Sequence, residues 1–263
     1  MNILHTIIEQ KKKEVERHKA AFGLDHLLRT QLLDRVPVSF KESILTSPHG
    51  IIAEFKRKSP SKGWIHPDAC VEQTILAYSD AGAAAISVLT DELFFGGSLN
   101  DLRRARQLTS TPLLRKDFIV DDYQIYQAKA VGADCILLIA AALSVKEVTH
   151  FTKLAHSLGL EVLLEVHNEQ ELETIVAGPD MVGVNNRNLK TFVTSLENSL
   201  RLAELIPDQF IKISESGISS TDSLDTLRKA GYEGFLMGEN FMKHHRPGEA
   251  LVSFAGALQS MPA

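Results

Sequence analysis

Glutamate and lysine recur where apolar runs end. Glu54 and Lys56 close Ile51-Ile52-Ala53, Lys116 closes Pro112-Leu113-Leu114-Arg115, Glu165 follows Leu163-Leu164, and Glu215 ends Ile211-Lys212-Ile213-Ser214. Such side chains are almost never buried alone, so at these positions they should pair with one another or wait for a ligand. Carboxylates beside ammonium groups suit proton transfer and the clamping of an anionic substrate. A purely structural ion network is the competing account. An enzyme is favoured because four separate runs end in the same way.

The side chains need strands to aim them. Ile52, Glu54 and Lys56 share parity, as do Leu114 and Lys116, Leu163 and Glu165, and Ile211, Ile213 and Glu215. On a strand, alternate residues share a face, so each charge caps an apolar column. Strand-like runs recur near 51–56, 83–89, 112–116, 134–139, 160–166, 180–184, 210–214 and 234–238. Between them, 68–81, 101–108, 121–130, 145–158, 168–175, 194–205 and 220–230 are long enough for crossover helices. Gly82, Gly132, Gly159 and Gly231 follow several of these stretches, where a left-handed residue ends a helix cheaply. Eight strands alternating with helices predict an α/β fold, a single (β/α)8 TIM barrel whose strand C-terminal ends form the active-site face.

Residues 1–48 fall outside that count and are expected to form a helical extension packed on a barrel spanning 49–263, the whole being one structural domain. Leu4, Ile8 and Val15 predict one helix, and Leu24, Leu27, Leu28 and Leu32 a second. Lys11-Lys12-Lys13 is diluted by Glu9, Glu14 and Glu16 and reads as a solvated face.

The chain has 263 residues, 44% of them hydrophobic, a net charge of −5 and a pI near 6.1. That balance leaves no footprint for nucleic acid but allows a local anion pocket. Apolar runs are strand-sized, so no membrane span is expected, and no secretory pattern opens the sequence; a cytoplasmic protein follows. Cys70 and Cys135 lack metal or disulfide spacing and are expected to be reduced packing residues. His66, His167 and the His244-His245 pair form no metal motif, so a structural or surface role is expected for each. No nucleotide fingerprint is present, and neither metal nor cofactor is expected.

Small residues after the seventh and eighth runs, Ser214-Glu215-Ser216-Gly217-Ile218 and Gly234-Phe235-Leu236-Met237-Gly238-Glu239-Asn240, could let backbone N–H groups cradle a phosphate. Asn185, Asn186 and Arg187 could meet a ligand or merely cap a strand and turn. Trp64, Ile65, Phe94, Phe95 and Phe118 are candidates for the wall of an aromatic pocket.

Taken with Ala53-Glu54-Phe55-Lys56-Arg57-Lys58-Ser59-Pro60-Ser61, Leu114-Arg115-Lys116-Asp117-Phe118, Leu164-Glu165-Val166-His167 and Gly183-Val184-Asn185-Asn186-Arg187-Asn188-Leu189, these segments resemble the indole-3-glycerol-phosphate synthase family over nearly the whole chain. The resemblance implies a carboxy-lyase of tryptophan biosynthesis acting on 1-(2-carboxyphenylamino)-1-deoxyribulose 5-phosphate without a cofactor. It implies Lys116 as general acid, Glu165 as later acid-base catalyst, Lys56 as a contact for substrate anions, and Glu54 as the partner that positions Lys56. It further implies Ser59, Asn185, Arg187 and Glu215 as substrate-binding or positioning groups, and Ser216, Gly217, Gly238 and Glu239, with Lys56, around phosphate. Glu239 would contribute its backbone, because its carboxylate would repel phosphate, and Gly238→Val is expected to obstruct that anion. The partner expected is a phosphorylated small molecule, with no nucleic acid or membrane, and the chain is expected to be monomeric. A noncatalytic metabolite-binding barrel, a sugar-phosphate isomerase and a lysine-dependent aldolase are the alternatives, the last distinguished by borohydride trapping at Lys116.

Overall fold

The computed structural model describes residues 3–259. Eight parallel strands close into a barrel: β1 (Ile51–Phe55), β2 (Ala85–Leu89), β3 (Leu113–Lys116), β4 (Cys135–Ile139), β5 (Glu161–Val166), β6 (Met181–Asn185), β7 (Ile211–Glu215) and β8 (Gly234–Met237). Each pairs with its sequence neighbours, and β1 pairs with both β2 and β8. The expected (β/α)8 barrel with an N-terminal helical extension is the fold observed.

Strand alternation separates two cores. Ile52, Leu114, Cys135, Leu137, Leu163, Met181, Ile213 and Leu236 fill the barrel, while Ala53, Val88, Ile136, Leu164, Val182 and Phe235 face the surrounding helices. Hence the inward columns end in Glu54, Lys116, Glu165 and Glu215 at the C-terminal rim.

Helix α1 (Ile3–Ala21) buries Leu4, Ile7, Ile8, Lys11 and Val15. The apolar stripe was expected, but Lys11 overturns the solvated reading of its lysine run: it is 1% exposed. Its ammonium lies 2.9 Å from Asp117, 3.0 Å from Asp91 and 2.9 Å from Glu14. Burial alone would favour the neutral amine, yet Asp117 and Asp91 outweigh it and raise the Lys11 pKa above the ordinary lysine range.

The second N-terminal helix is a single turn, Leu24–Leu27, and only Leu27 is buried, against Tyr123 and Ala130; Leu24 and Leu28 remain exposed. A helix not foreseen, α2 (Phe40–Thr46), closes the N-terminal end of the barrel. Ser39 caps it through Glu42 N–H, and Phe40 and Ile44 enter the interior cluster. Burying each of those side chains is worth about 2 kcal/mol.

The crossover at 168–175 is a 3-10 turn, Gln170–Ala177, rather than the expected α-helix, and a final helix, Pro247–Gln259, had not been anticipated. Gly82, Gly132, Gly159 and Gly231 all have positive φ at the expected segment ends. Cys70 and Cys135 are free thiols. Among the described residues, no helix is long and apolar enough to cross a membrane.

Candidate active site

The strand ends converge on Lys116. Its Nζ lies 3.0 Å from Glu215 Oε2 and 3.7 Å from both Glu54 Oε2 and Glu165 Oε2. Thus β3 supplies a cation to carboxylates from β7, β1 and β5. On β1, Lys56 forms an ion pair with Glu54, and Ser87 of β2 donates to Glu54 Oε2 at 3.4 Å.

Two glycines keep room for this cluster. A Cβ at Gly183 on β6 would fall on the Glu215 carboxylate, and a Cβ at Gly238 after β8 would fall on that of Glu54. Gly238→Val therefore strikes a carboxylate of the Lys116 cluster and is no clean phosphate probe, contrary to its expected use.

Crowded charges set the proton inventory. Burial disfavours the Lys116 ammonium, but Glu215, Glu54 and Glu165 more than offset it, and Lys116 stays cationic well above the usual lysine range. Burial likewise opposes the Glu165 carboxylate, yet His167 and Lys116 hold its pKa down at about 2. Glu54 is also held low, since Lys56 and Lys116 outweigh burial. Glu215 differs: burial, reinforced by Glu165 and Glu54, prevails over Lys116 and raises it to about 7. Lys116 stands close to Glu215 Oε2, but neither Glu215 oxygen has a well-aligned hydrogen bond among the described residues.

Above the cluster lies a cavity walled by Leu4, Ile7, Phe95, Phe118, Leu137, Leu189 and Phe192, with Glu54, Lys56, Lys116 and Glu165 as its polar floor. The expected Phe95–Phe118 wall is present, with ring centroids 5.9 Å apart. Trp64 is instead exposed beneath the Lys58 ammonium, outside that wall.

Ser59, Asn185, Arg187, Ser216 and Glu239 line the same cavity. Arg187 donates to Ser61 Oγ at 2.9 Å and stands 3.5 Å from Glu239, while Lys62 lies 3.5 Å from Glu239; the loops after β1, β6 and β8 are thereby joined. Asn185 Oδ1 caps the turn by accepting Arg187 N–H at 3.0 Å. Glu215 is beneath Lys116 and not on the wall, so its contacts fit positioning of the lysine. Gly217 and Gly238 border an adjoining recess that also includes Lys56, Ser216 and Glu239.

The recess is shaped by consecutive left-handed residues, Ser216 at φ 66° and Gly217 at φ 80°. That geometry is uncommon for serine, and buried Asn186 helps hold it by donating to Ser216 O at 3.1 Å and Ser214 Oγ at 3.0 Å. Asn186 is therefore a clamp on the β7 loop. Sequence reasoning missed that, as it missed Lys11 and Asp117; only the Asn-rich turn hinted at the first.

His167 is not a surface group. It lies 12% exposed between Glu165 and Glu171. Among the described residues, no group of three or more His, Cys, Asp and Glu is arranged to hold a metal.

An indole-3-glycerol phosphate synthase family model matches residues 4–253. An indole-3-glycerol phosphate synthase from Bacteroides thetaiotaomicron is 52% identical over 260 residues, covering 98% of this chain and 99% of the relative. One from Neisseria meningitidis serogroup B is 46% identical over 250 residues, covering 92% and 95%. In fold alone, the chain is similar to a tryptophan synthase alpha-subunit from Pyrococcus furiosus, with a TM-score of 0.61 and 18% identity over 81% of this chain and 98% of the other. With a match spanning both barrel and extension, the chain belongs to the indole-3-glycerol phosphate synthase family.

Proposed function

We propose that the Lys116 cluster carries out ring closure, decarboxylation and dehydration of 1-(2-carboxyphenylamino)-1-deoxyribulose 5-phosphate. As a family member, the chain is a lyase of tryptophan biosynthesis with a phosphorylated small-molecule substrate. The observation that carries the residue assignment is one buried, charged lysine among three carboxylates on the floor of an apolar-walled cavity.

The carboxyphenyl ring occupies the apolar wall, and the ribulose carbonyl faces Lys116. Attack by the ring carbon that bears the carboxylate forms the new C–C bond, while Lys116 donates a proton to the developing alkoxide. Loss of carbon dioxide returns the bonding pair to the ring. The hydroxyl then leaves as water, with Glu165 moving the proton that this step requires. Glu54 orients Lys56, whose charge meets the substrate's anionic groups, and Glu215 orients Lys116. Ser59, Asn185 and Arg187 hold the substrate's polar atoms.

The phosphate is assigned to the recess between Ser216-Gly217 and Gly238-Glu239, where short turns offer backbone N–H groups and Lys56 adds charge. Two cations beside Glu239, Lys62 and Arg187, support the view that its side chain faces them while its backbone serves the anion. All the assigned groups come from one chain, so the proposed steps call on no residue of a second copy.

Purified protein given this substrate, with a chelator present, should form indole-3-glycerol phosphate and bind the dephosphorylated analogue more weakly. Folded protein that forms no product would reject the reaction. Equal binding of the two compounds would reject the phosphate assignment alone.

A further inference from the structure

His167 touches a carboxylate that the proposed reaction uses, yet it has no part in the steps above. It is the first residue after β5, and its Nε2 lies 3.2 Å from Glu165 Oε1. The contact is ionic in geometry, because Nε2 is not aligned for a hydrogen bond. On the other side, Nδ1 lies 3.3 Å from Glu171 Oε2, and the same oxygen accepts His167 backbone N–H at 2.7 Å.

Glu171 is itself held. Asn168 Nδ2 donates to its Oε1 at 2.6 Å, and Glu171 N–H returns a bond to Asn168 Oδ1 at 3.1 Å. Asn198 ties the His167 and Asn185 carbonyls together at 3.1 Å each. The imidazole therefore sits in a fixed frame with an acidic oxygen facing each nitrogen.

An imidazole with a carboxylate oxygen facing each nitrogen is favoured as imidazolium, since that form sets positive charge against both carboxylates and gives Nδ1 a proton for Glu171. Burial opposes the charge, but Glu165 and Glu171 raise the His167 pKa to about 10. Glu165 is faced by Lys116 of β3 and by Asn185 of β6, with Glu215 of β7 acting on it through space. His167 adds a second cation to Glu165. It also borders a separate surface recess that includes Arg187, Lys190 and Arg201.

We propose, resting on the reaction assigned above, that His167 is a positioning residue for Glu165: Glu171 fixes the imidazolium, and the imidazolium holds the Glu165 carboxylate in place beside Lys116. Glu165 must carry a proton late in the reaction and then be reset, which requires a carboxylate whose orientation and basicity are both set. Without His167, Glu165 loses one cation, so it becomes more basic and less ordered. The acidic limb of the activity profile then moves to higher pH.

The test uses His167→Gln and Glu171→Gln in the full chain, with thermal unfolding as the check on folding. Both variants should lose about tenfold or more in kcat with KM nearly unchanged, and their kcat profiles should show the acidic limb displaced upward. Ring-nitrogen NMR gives a readout independent of turnover. In the wild type, His167 should remain doubly protonated through neutral pH, and in Glu171→Gln it should titrate at lower pH.

An unchanged kcat and acidic limb in folded His167→Gln would overturn the proposal, as would a wild-type ring that titrates near the ordinary histidine value. Wild-type protein that makes no product would instead reject the reaction itself, while the NMR titration would still decide whether the Glu171–His167 pairing exists.

Discussion

Buried carboxylates at the two ends of this barrel live under opposite conditions. At the N-terminal end, Asp134 accepts from Arg35 and Arg106 and from the backbone N–H groups of Val38 and Leu113, each at 2.8 Å. At the C-terminal end, Glu215 is equally buried but, among the described residues, has no aligned donor and a close lysine that it shares with two other glutamates. The first arrangement holds architecture together, because every lone pair has a fixed partner. The second leaves hydrogen-bonding capacity unspent around a cation, as expected where a ligand will arrive.

Breaking the satisfied end should produce the larger loss of stability. Asp134→Ala leaves two arginines and two N–H groups facing a void, so it should cost about 3–5 kcal/mol in denaturant unfolding, while the folded fraction keeps its kcat. Equal stability of this variant and the wild type would erase the contrast. At the other end, Glu165→Gln should lower kcat by about 100-fold or more and cost less stability than Asp134→Ala. Comparable stability losses would mean that the two ends are built alike.

Glu215→Gln sharpens the comparison further. It removes a carboxylate that burial strains, so the unfolding midpoint at neutral pH should not fall, while kcat drops about tenfold because Lys116 is less well held. The sign of the pH effect follows from its raised pKa. Relative to the usual carboxylate value of 4.5, a folded value of about 7 means that the folded state holds this proton more tightly. Its contribution to stability is therefore complete below 4.5 and is lost as pH rises through about 7. Unfolding followed across that window should show a decline in the wild type that flattens in Glu215→Gln.

The smallest effect on turnover concerns the cover of the cavity. Lys11→Met removes the cation between Asp91 and Asp117, beside Lys116, and should raise KM more than it lowers kcat because α1 carries part of the cavity wall. Steady-state kinetics would decide, and an unchanged KM would detach α1 from substrate binding.

Much of the barrel was legible because each strand is a short apolar run ended by a turn and each inward column ends in a charged residue. Parity alone aimed Glu54, Lys116, Glu165 and Glu215 at one face. Lys11 was illegible for the opposite reason: within Lys11-Lys12-Lys13 nothing local separates the buried member from its solvated neighbours, and Asp91 and Asp117 lie far along the chain. Asp134 drew no notice at the head of its apolar run because Arg35, Arg106 and Leu113 reach it only in the fold. His167 looked ordinary until β5 and the following 3-10 turn brought two carboxylates to its ring. Gly238 was read for what approaches it from outside, whereas the nearest obstacle is Glu54 on the neighbouring strand β1. Local pattern thus reports which face a side chain takes, and nonlocal packing determines what it meets there.

The most direct measurement is single-turnover formation of indole-3-glycerol phosphate by Lys116→Met, which keeps an unbranched stem and removes the acid. With folded protein and bound substrate verified, ring closure should slow by about 1,000-fold or more at neutral pH. A rate near that of the wild type would contradict the assignment of Lys116 as the proton donor.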